Sequence, residues 1–299
     1  MEKFKVLHRI KELYARGENI IQYLKSLDNS EKNSLEDILI SYDFQAGIYT
    51  QRAEINREVR EIYCQNLANV LEGLGNFDSL LEVGVGEAST LGNLLLYLKK
   101  QPKHLFGFDL SWSRIKYAFR FLETLNIETS HIQLSTGDLF NAPFANNSID
   151  IVYTSHSLEP NGGQEKEALQ ELYRIARKYV VLLEPAYELA HEEARKRMLK
   201  NGYVTKLHAT AQELGYEILK YELFEPTFKP INPTGLMIIK KEIGTINKTG
   251  FACPATHSPL QLKKGALFAE EALLAYPILD DIPCLLPQNA IIASHFLDG

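Results

Sequence analysis

Four short stretches of this sequence gather residue types that hold or move charge. Glu82-Val83-Gly84-Val85-Gly86-Glu87 sets two glycines between two carboxylates, and Asp109 follows 25 positions after Gly84. Gly137-Asp138-Leu139 pairs an acid with an apolar neighbour, and His156 precedes Glu159 by three residues. Glycines after a strand allow a tight turn and close approach of a ligand to the backbone. The flanking acids narrow the choice of ligand. A pyrophosphate wants backbone N–H groups, and two unit charges about 4 Å apart interact by roughly 4 kcal/mol at a surface-like dielectric. Glu82 and Glu87 would repel such a group; they suit a ligand bearing an ammonium and a sulfonium. Asp109 can accept from both hydroxyls of a ribose, a feature that nicotinamide and adenosyl ligands share. Asp138 can take an adenine amino group while Leu139 packs on the ring; the alternative for Asp138 is an Asx turn.

These residues need a frame, and the pattern of the chain predicts one. Short apolar strands are expected at 80–83, 104–108, 132–135, 149–154 and 179–183, with two late strands near 216–223 and 236–240. Helical spacing fills 90–99, 113–125, 165–177 and 186–199. Strands separated by helices require crossovers, which give a doubly wound, mainly parallel Rossmann-like α/β sheet with helices on both faces. Ligands of such sheets bind beyond the carboxyl ends of the strands, where all four stretches fall. Ahead of the sheet, Phe4, Leu7, Ile10 and Leu13, then Ile20, Ile21, Leu24 and Leu27, mark helical faces. Such helices can cap a site, build a homodimer interface or cover the core. Tyr42, Gln45 and Tyr49 lie in a polar-aromatic stretch that can fold over a ligand as a lid, ordinary packing being the alternative. The domain boundaries expected are 1–74 helical, 75–245 α/β, and 246–299 a small β-rich tail.

The series Leu-Leu-Glu-Val-Gly-Val-Gly, Gly-Phe-Asp-Leu-Ser, Gly-Asp-Leu-Phe-Asn-Ala-Pro-Phe and Ser-Ile-Asp-Ile-Val-Tyr, in this order, resembles the class I methyltransferase family over about residues 75–240. The resemblance implies S-adenosyl-L-methionine as cofactor. It implies that Glu82, Gly84 and Gly86 shape the methionine side, that Asp109 with Leu110 meets the ribose, and that Asp138 and Leu139 meet the adenine, with Ser155 at the rim. Ala88 and Ser89 stand where the family often has a third glycine. Asp150 resembles the family's fourth-strand acid, a structural position.

The family's catalytic loop follows the fourth strand, here Tyr153 to Asn161. Methyl transfer is an in-line displacement that chiefly demands alignment, and an oxygen acceptor must also lose its proton to a base. His156 has the intrinsic pKa for that task and Glu159 can orient it or bind an amine; alternatively His156 only hydrogen-bonds the nucleoside or the loop. Glu184 and Tyr187, after the fifth strand, are further substrate candidates. The loop lacks the Asn/Asp-Pro-Pro-Tyr signature of many amino-methylating enzymes. Together with the acidic balance this favours a small-molecule or saccharide-type acceptor. The alternatives are RNA or a translation-related protein and, in another class, a nicotinamide-dependent oxidoreductase.

Bulk properties agree. Among 299 residues, 45% are hydrophobic and 23% charged, which suits a packed core. A net charge of −6 supplies no general field for nucleic acid or anionic membranes. The three cysteines give no disulfide framework, and the start has no apolar signal core, so the expected location is cytoplasmic. The tail resembles a small zinc-ribbon-like methyltransferase activator domain. Cys253, His257 and Cys284 are too few and ill-spaced for a closed zinc site, so no metal is expected.

Overall fold

A computed structural model of the chain describes residues 3–30, 33–48, 55–242 and 244–298. Seven strands form the central sheet: β1 (Ser79–Val83), β2 (His104–Asp109), β3 (Ile132–Thr136), β4 (Ile149–Ser155), β5 (Ala176–Pro185), β6 (Glu217–Leu223) and β7 (Thr234–Lys240). Their order is β3-β2-β1-β4-β5-β7-β6. All neighbours pair in parallel except β7, which runs antiparallel to both β5 and β6. The central strands are apolar on both faces because helices cover both: β1 is buried at every position. On one face lie α4 (Arg57–Gly73), α5 (Ser89–Tyr97) and α6 (Trp112–Thr124), contributing Leu67, Leu94 and Ile115. On the other lie α7 (Glu165–Ile175) and α9 (Leu207–Glu213), contributing Leu169, Leu172 and Ala211. The strand order reverses between β1 and β4, and this switch point opens the sheet edge where ligands bind.

Asp150 acts at the opposite end. Its Oδ2 accepts the Asp78 N–H at 2.8 Å, and its Oδ1 pairs with Arg177 and Lys178 at 3.2 and 3.4 Å. It therefore ties the amino ends of β1 and β4 and leaves their carboxyl ends for function.

Three N-terminal helices, α1 (Leu7–Ala15), α2 (Ile20–Asp28) and α3 (Leu35–Phe44), share a small apolar core around Ile10, Leu24 and Ile40. Ser34 caps α3 in a reciprocal capping box with Asp37, and Lys3 pairs with Asp28 and Asp37. The Asn33 amide reaches across to the Pro160 carbonyl at 3.3 Å, which sets these helices over the sheet edge.

Two elements depart from expectation. Residues 186–199 form a 3-10 turn (Tyr187–Leu189) and then α8 (Glu192–Lys200) instead of one helix. Pro185 ends β5, and the His191 side chain accepts the Ala194 N–H, so the helix starts there. Helix α9 itself has no counterpart in the pattern reading. Among the described residues no helix is long and apolar enough to cross a membrane.

The tail folds as a small antiparallel sheet of β8 (Gln261–Lys263), β9 (Ala266–Ala269), β10 (Leu274–Leu279), β11 (Ile282–Pro283) and β12 (Ile291–Ile292). Cys253 is buried in its core with the thiol against the Tyr276 hydroxyl at 3.3 Å. The tail is fastened to the edge of the main sheet. Cys284 forms a parallel bridge to Thr136 of β3, and the Leu285 N–H donates to Thr136 Oγ1 at 3.1 Å. Phe251 packs on Phe144 and Phe106 with ring centroids 5.5 and 5.7 Å apart, and Ile282 joins the main core. Trp112 Nε1–H donates to the Leu279 carbonyl, and Lys116 pairs with Asp280. An open β3 edge would offer unpaired backbone groups to other chains; the tail covers part of it. Phe251→Ala is therefore expected to cost about 2–3 kcal/mol of urea-unfolding stability for the whole chain. A main transition that keeps its midpoint in this variant would show that the tail is a bystander.

Candidate functional site

The turn after β1 is built on two glycines in the left-handed region, Gly84 at φ +73 and Gly86 at φ +54. A side chain at Gly84 would put a Cβ 2.2 Å from Ser157 Cβ, so the loop after β4 lies directly on this turn. At Gly86 the same atom would meet the Arg114 guanidinium at 2.5 Å. Both positions thus need glycine for conformation and for space.

Around this turn the strand ends bring acids together. Asp109 ends β2; its Oδ2 accepts the Gly86 N–H at 3.0 Å and its Oδ1 the Ser111 N–H at 2.9 Å. Arg114 pairs with Asp109 at 3.6 Å and lies over the Tyr42 ring, 5.2 Å from its centroid. A cation already rests where the acids and an aromatic face meet. Glu82, in β1, is 2% exposed and accepts the Tyr153 hydroxyl at 2.9 Å. Burial pushes its carboxyl up to about 8; Tyr153 and Arg114 pull the other way, and Asp109 adds to the rise. Asp138, after β3, closes an Asx turn: its Oδ1 accepts the Phe140 N–H and its Oδ2 the Asn141 amide. Leu139 and Leu110 stay partly open beside the acids.

The N-terminal segment straps the turn. Glu87 accepts the Gly47 N–H at 2.9 Å, and Asp43 accepts from Ser111 Oγ, Ser113 Oγ and the Ser113 N–H at the start of α6. Tyr42 is drawn in through Arg114, whereas Gln45 spends its amide on Ser41 of its own helix. Tyr49 lies outside the described residues. The strap is thus made by Asp43, Gly47 and Arg114, none of which the sequence singled out.

A second polar cluster sits on the β4, β5 and β7 side. His156 adopts φ +54 and is held at both ring nitrogens, Nδ1 by Glu159 Oε2 at 3.2 Å and Nε2 by Thr234 Oγ1 at 2.8 Å. Burial lowers its pKa, but the Glu159 hydrogen bond and the Glu159 and Glu184 charges outweigh it and leave the ring above its ordinary value. Glu159 also accepts the Asn232 amide at 3.0 Å and interacts with the Tyr203 hydroxyl. Glu184, at the end of β5, is 2% exposed and holds the Ser157 N–H at 3.0 Å through Oε1. Burial lifts Glu184 to about 7, against the lowering effect of His156. Ser155 Oγ meets the Tyr63 hydroxyl of α4 at 3.0 Å, with Phe224 and Phe228 packed on the Tyr63 ring. Tyr187 faces α8 instead, its ring under Arg195 at 5.7 Å and its carbonyl accepting from that residue.

Two buried polar atoms of this second cluster, Ser157 Oγ and Asn232 Oδ1, make no hydrogen bond, while the Thr154 hydroxyl interacts with the Glu184 carboxyl. Each such atom costs about 1–3 kcal/mol unless something completes it. Both belong to the cluster that holds His156. Thr234, Asn232, Tyr203 and Tyr63 escaped the sequence reading because nothing in their local context distinguishes them; the fold alone brings them to the loop.

Residues 80–179 match the family model described as Methyltransferase domain. Among solved structures, the magnesium protoporphyrin IX methyltransferase of Synechocystis PCC 6803 is similar at 14% identity. It has a TM-score of 0.50, over 62% of this chain and 85% of that one. A methyltransferase of Haloferax volcanii complexed with its activator is 14% identical at TM-score 0.48, over 66% of this chain and 95% of that one. A 40-residue stretch, 13% of this chain, is 48% identical to a UPF0434 protein of Caulobacter vibrioides; the chain spans 62% of that relative's length. The chain carries a methyltransferase domain with the Rossmann-like fold.

Glu82 supplies a test of this electrostatic description. Its folded pKa of about 8 lies above the ordinary 4.5. The folded state therefore keeps a proton that the unfolded chain has released between those values, and stability is lost as pH rises through them. Urea unfolding from pH 5 to pH 8.5 should show wild type losing about 1–3 kcal/mol more than Glu82→Gln. Equal slopes for the two proteins would contradict the buried-acid description.

Proposed function

We propose that the chain methylates a hydroxyl of a small-molecule or saccharide-type acceptor, with His156 as the base that receives the hydroxyl proton. The observation that carries this reading is His156 itself. It is pinned by Glu159 and Thr234 on a loop that rests against Gly84 of the glycine turn.

The residues present fit the donor. The turn carries no side chain at Gly84 and Gly86, where Ser157 and Arg114 now lie, and Glu82 offers a buried carboxyl to an ammonium. Asp109 offers oxygens that now hold Arg114, and Asp138 stands beside Leu139 for an adenine. When bound, S-adenosyl-L-methionine supplies an electrophilic methyl on a sulfonium. The chain supplies alignment, desolvation and a proton acceptor. Glu159 keeps the His156 Nδ1–H in place, which leaves Nε2 to take a proton. Thr234 Oγ1 now fills that Nε2 position, the position an acceptor hydroxyl would share. Glu184 holds the loop through the Ser157 N–H and interacts with the Thr154 hydroxyl.

The size of the acceptor is argued from the walls. Loop 156–163 is closed in by Asn33 on one side and by the segment after α8 on the other. There the Gly162 N–H donates to the Gly202 carbonyl and the Val204 N–H to the Glu159 carbonyl. A loop bounded on both sides, on an acidic protein, favours a small ligand over a nucleic-acid surface. Glu82 and Glu87, both buried against the glycine turn, speak against a nicotinamide dinucleotide.

Labelled-methyl transfer to fractionated small molecules is the experiment. His156→Gln should lower kcat about 10²–10⁴-fold while donor binding stays near wild type. Glu159→Gln removes the charge that raises His156, so the acidic limb of the pH–rate profile should move to lower pH. A His156→Gln enzyme with full turnover would end the general-base role.

A further inference from the structure

Beside the His156–Glu159 cluster, the molecule carries a cation that its own chain leaves incomplete. Arg197, on α8, stacks over the Tyr203 ring with its guanidinium carbon 5.4 Å from the centroid. Its Nη2–H donates to the Tyr203 hydroxyl at 3.4 Å, and Tyr203 in turn interacts with Glu159. Its Nη1 is buried and makes no hydrogen bond. Among the described residues Arg197 has no carboxylate partner, unlike its helix neighbour Lys196, which pairs with Glu192. A buried guanidinium N–H without an acceptor is costly and calls for a missing group. Arginine presents a planar fork that matches carboxylate and phosphate oxygens.

A second cation is linked to the same carboxylate, Glu159, through Asn232. Lys229 lies in the connection between β6 and β7, and its carbonyl accepts the N–H of Asn232, whose amide holds Glu159. Its ammonium is close enough for its charge to act on His156, and among the described residues it makes no ion pair. The carboxylate between them is already occupied: Glu159 Oε2 accepts from His156 and Asn232, and Tyr203 adds a further interaction. Two cations without a carboxylate partner among the described residues thus border Glu159, although the chain carries a net charge of −6.

We infer that the acceptor bears an anionic oxygen group, a phosphate or a carboxylate, which Arg197 and Lys229 hold while its hydroxyl faces His156. This inference rests on the methyl-transfer reading of the same pocket. Arg197 meets the anion through its fork, with Tyr203 fixing the plane of the guanidinium, and Lys229 adds a point charge from the facing loop. The pair selects for charge and orients the acceptor, leaving the proton to His156.

Isothermal titration of the full chain with inorganic pyrophosphate and, separately, with succinate tests this directly and separates the phosphate source from the carboxylate source. At least one of the two should bind saturably. Arg197→Gln and Lys229→Gln should each weaken it tenfold or more, Arg197→Lys less, and Lys263→Gln on remote β8 not at all. Lys229 is exposed, so its variant should fold normally even if Arg197→Gln does not. The inference is overturned if neither anion binds, or if binding is unchanged in Lys229→Gln and in a folded Arg197 variant. Titration of the same samples with S-adenosyl-L-methionine keeps the two readings apart. Donor binding without anion binding ends the inference alone, whereas failure of wild type to bind the donor ends the methyl-transfer reading.

Discussion

The structure depends on the management of negative charge at one edge of a sheet. Glu82, Glu87, Asp109, Asp138 and Glu184 are all buried there, at or just beyond the carboxyl ends of strands. Carboxylates removed from water must be neutralised, hydrogen-bonded or protonated. Each of these has its own solution: Arg114 beside Asp109, an Asx turn around Asp138, the Gly47 N–H on Glu87, and raised pKa values for Glu82 and Glu184. Much of the remaining architecture follows from these solutions. The N-terminal helices are drawn onto the sheet edge through Gly47 and Asp43, and the loop after β4 is drawn onto Glu184 through Ser157.

This edge divides into two halves that share a border. On the proposed function, the glycine turn, Asp109 and Asp138 would serve the donor, and His156, Glu159, Glu184 and Thr234 the acceptor. Their border is the contact between Gly84 and Ser157, where backbone and loop approach too closely for any side chain on the turn. A displacement reaction needs donor and acceptor in line, and a tight border of this kind sets one half against the other. Raising Glu82 and Glu184 toward neutrality also makes the edge responsive to pH, since a cation at Glu82 favours the ionised carboxyl.

The fold was largely legible because its signals are local. Apolar strands at regular spacing, glycines after β1 and acids at strand ends predict a doubly wound sheet, and the strand order agrees. The misreadings have physical causes. Residues 186–199 share helical periodicity, but Pro185 and the capping side chain of His191 reset the helix start, which periodicity does not register. The candidate site was legible where chemistry is concentrated in a short motif, as at Glu82 to Glu87 and His156 to Glu159. It was not legible where the partner comes from afar. Thr234 lies 78 positions from His156, and Arg114 reads as one of several surface cations of an amphipathic helix until α3 is folded over it. Asp138 illustrates the reverse: its Asx turn was an open alternative in the sequence, and the structure shows that turn formed two residues beyond the end of β3.

The central claim is that these acids hold a cationic nucleoside, and calorimetry with Asp109 altered addresses it most directly. Wild type should bind S-adenosyl-L-methionine and S-adenosylhomocysteine in the micromolar range and ignore NAD, and Asp109→Ala should lose most of that affinity. Binding of NAD by wild type, or unchanged S-adenosyl-L-methionine affinity in Asp109→Ala, would contradict the account.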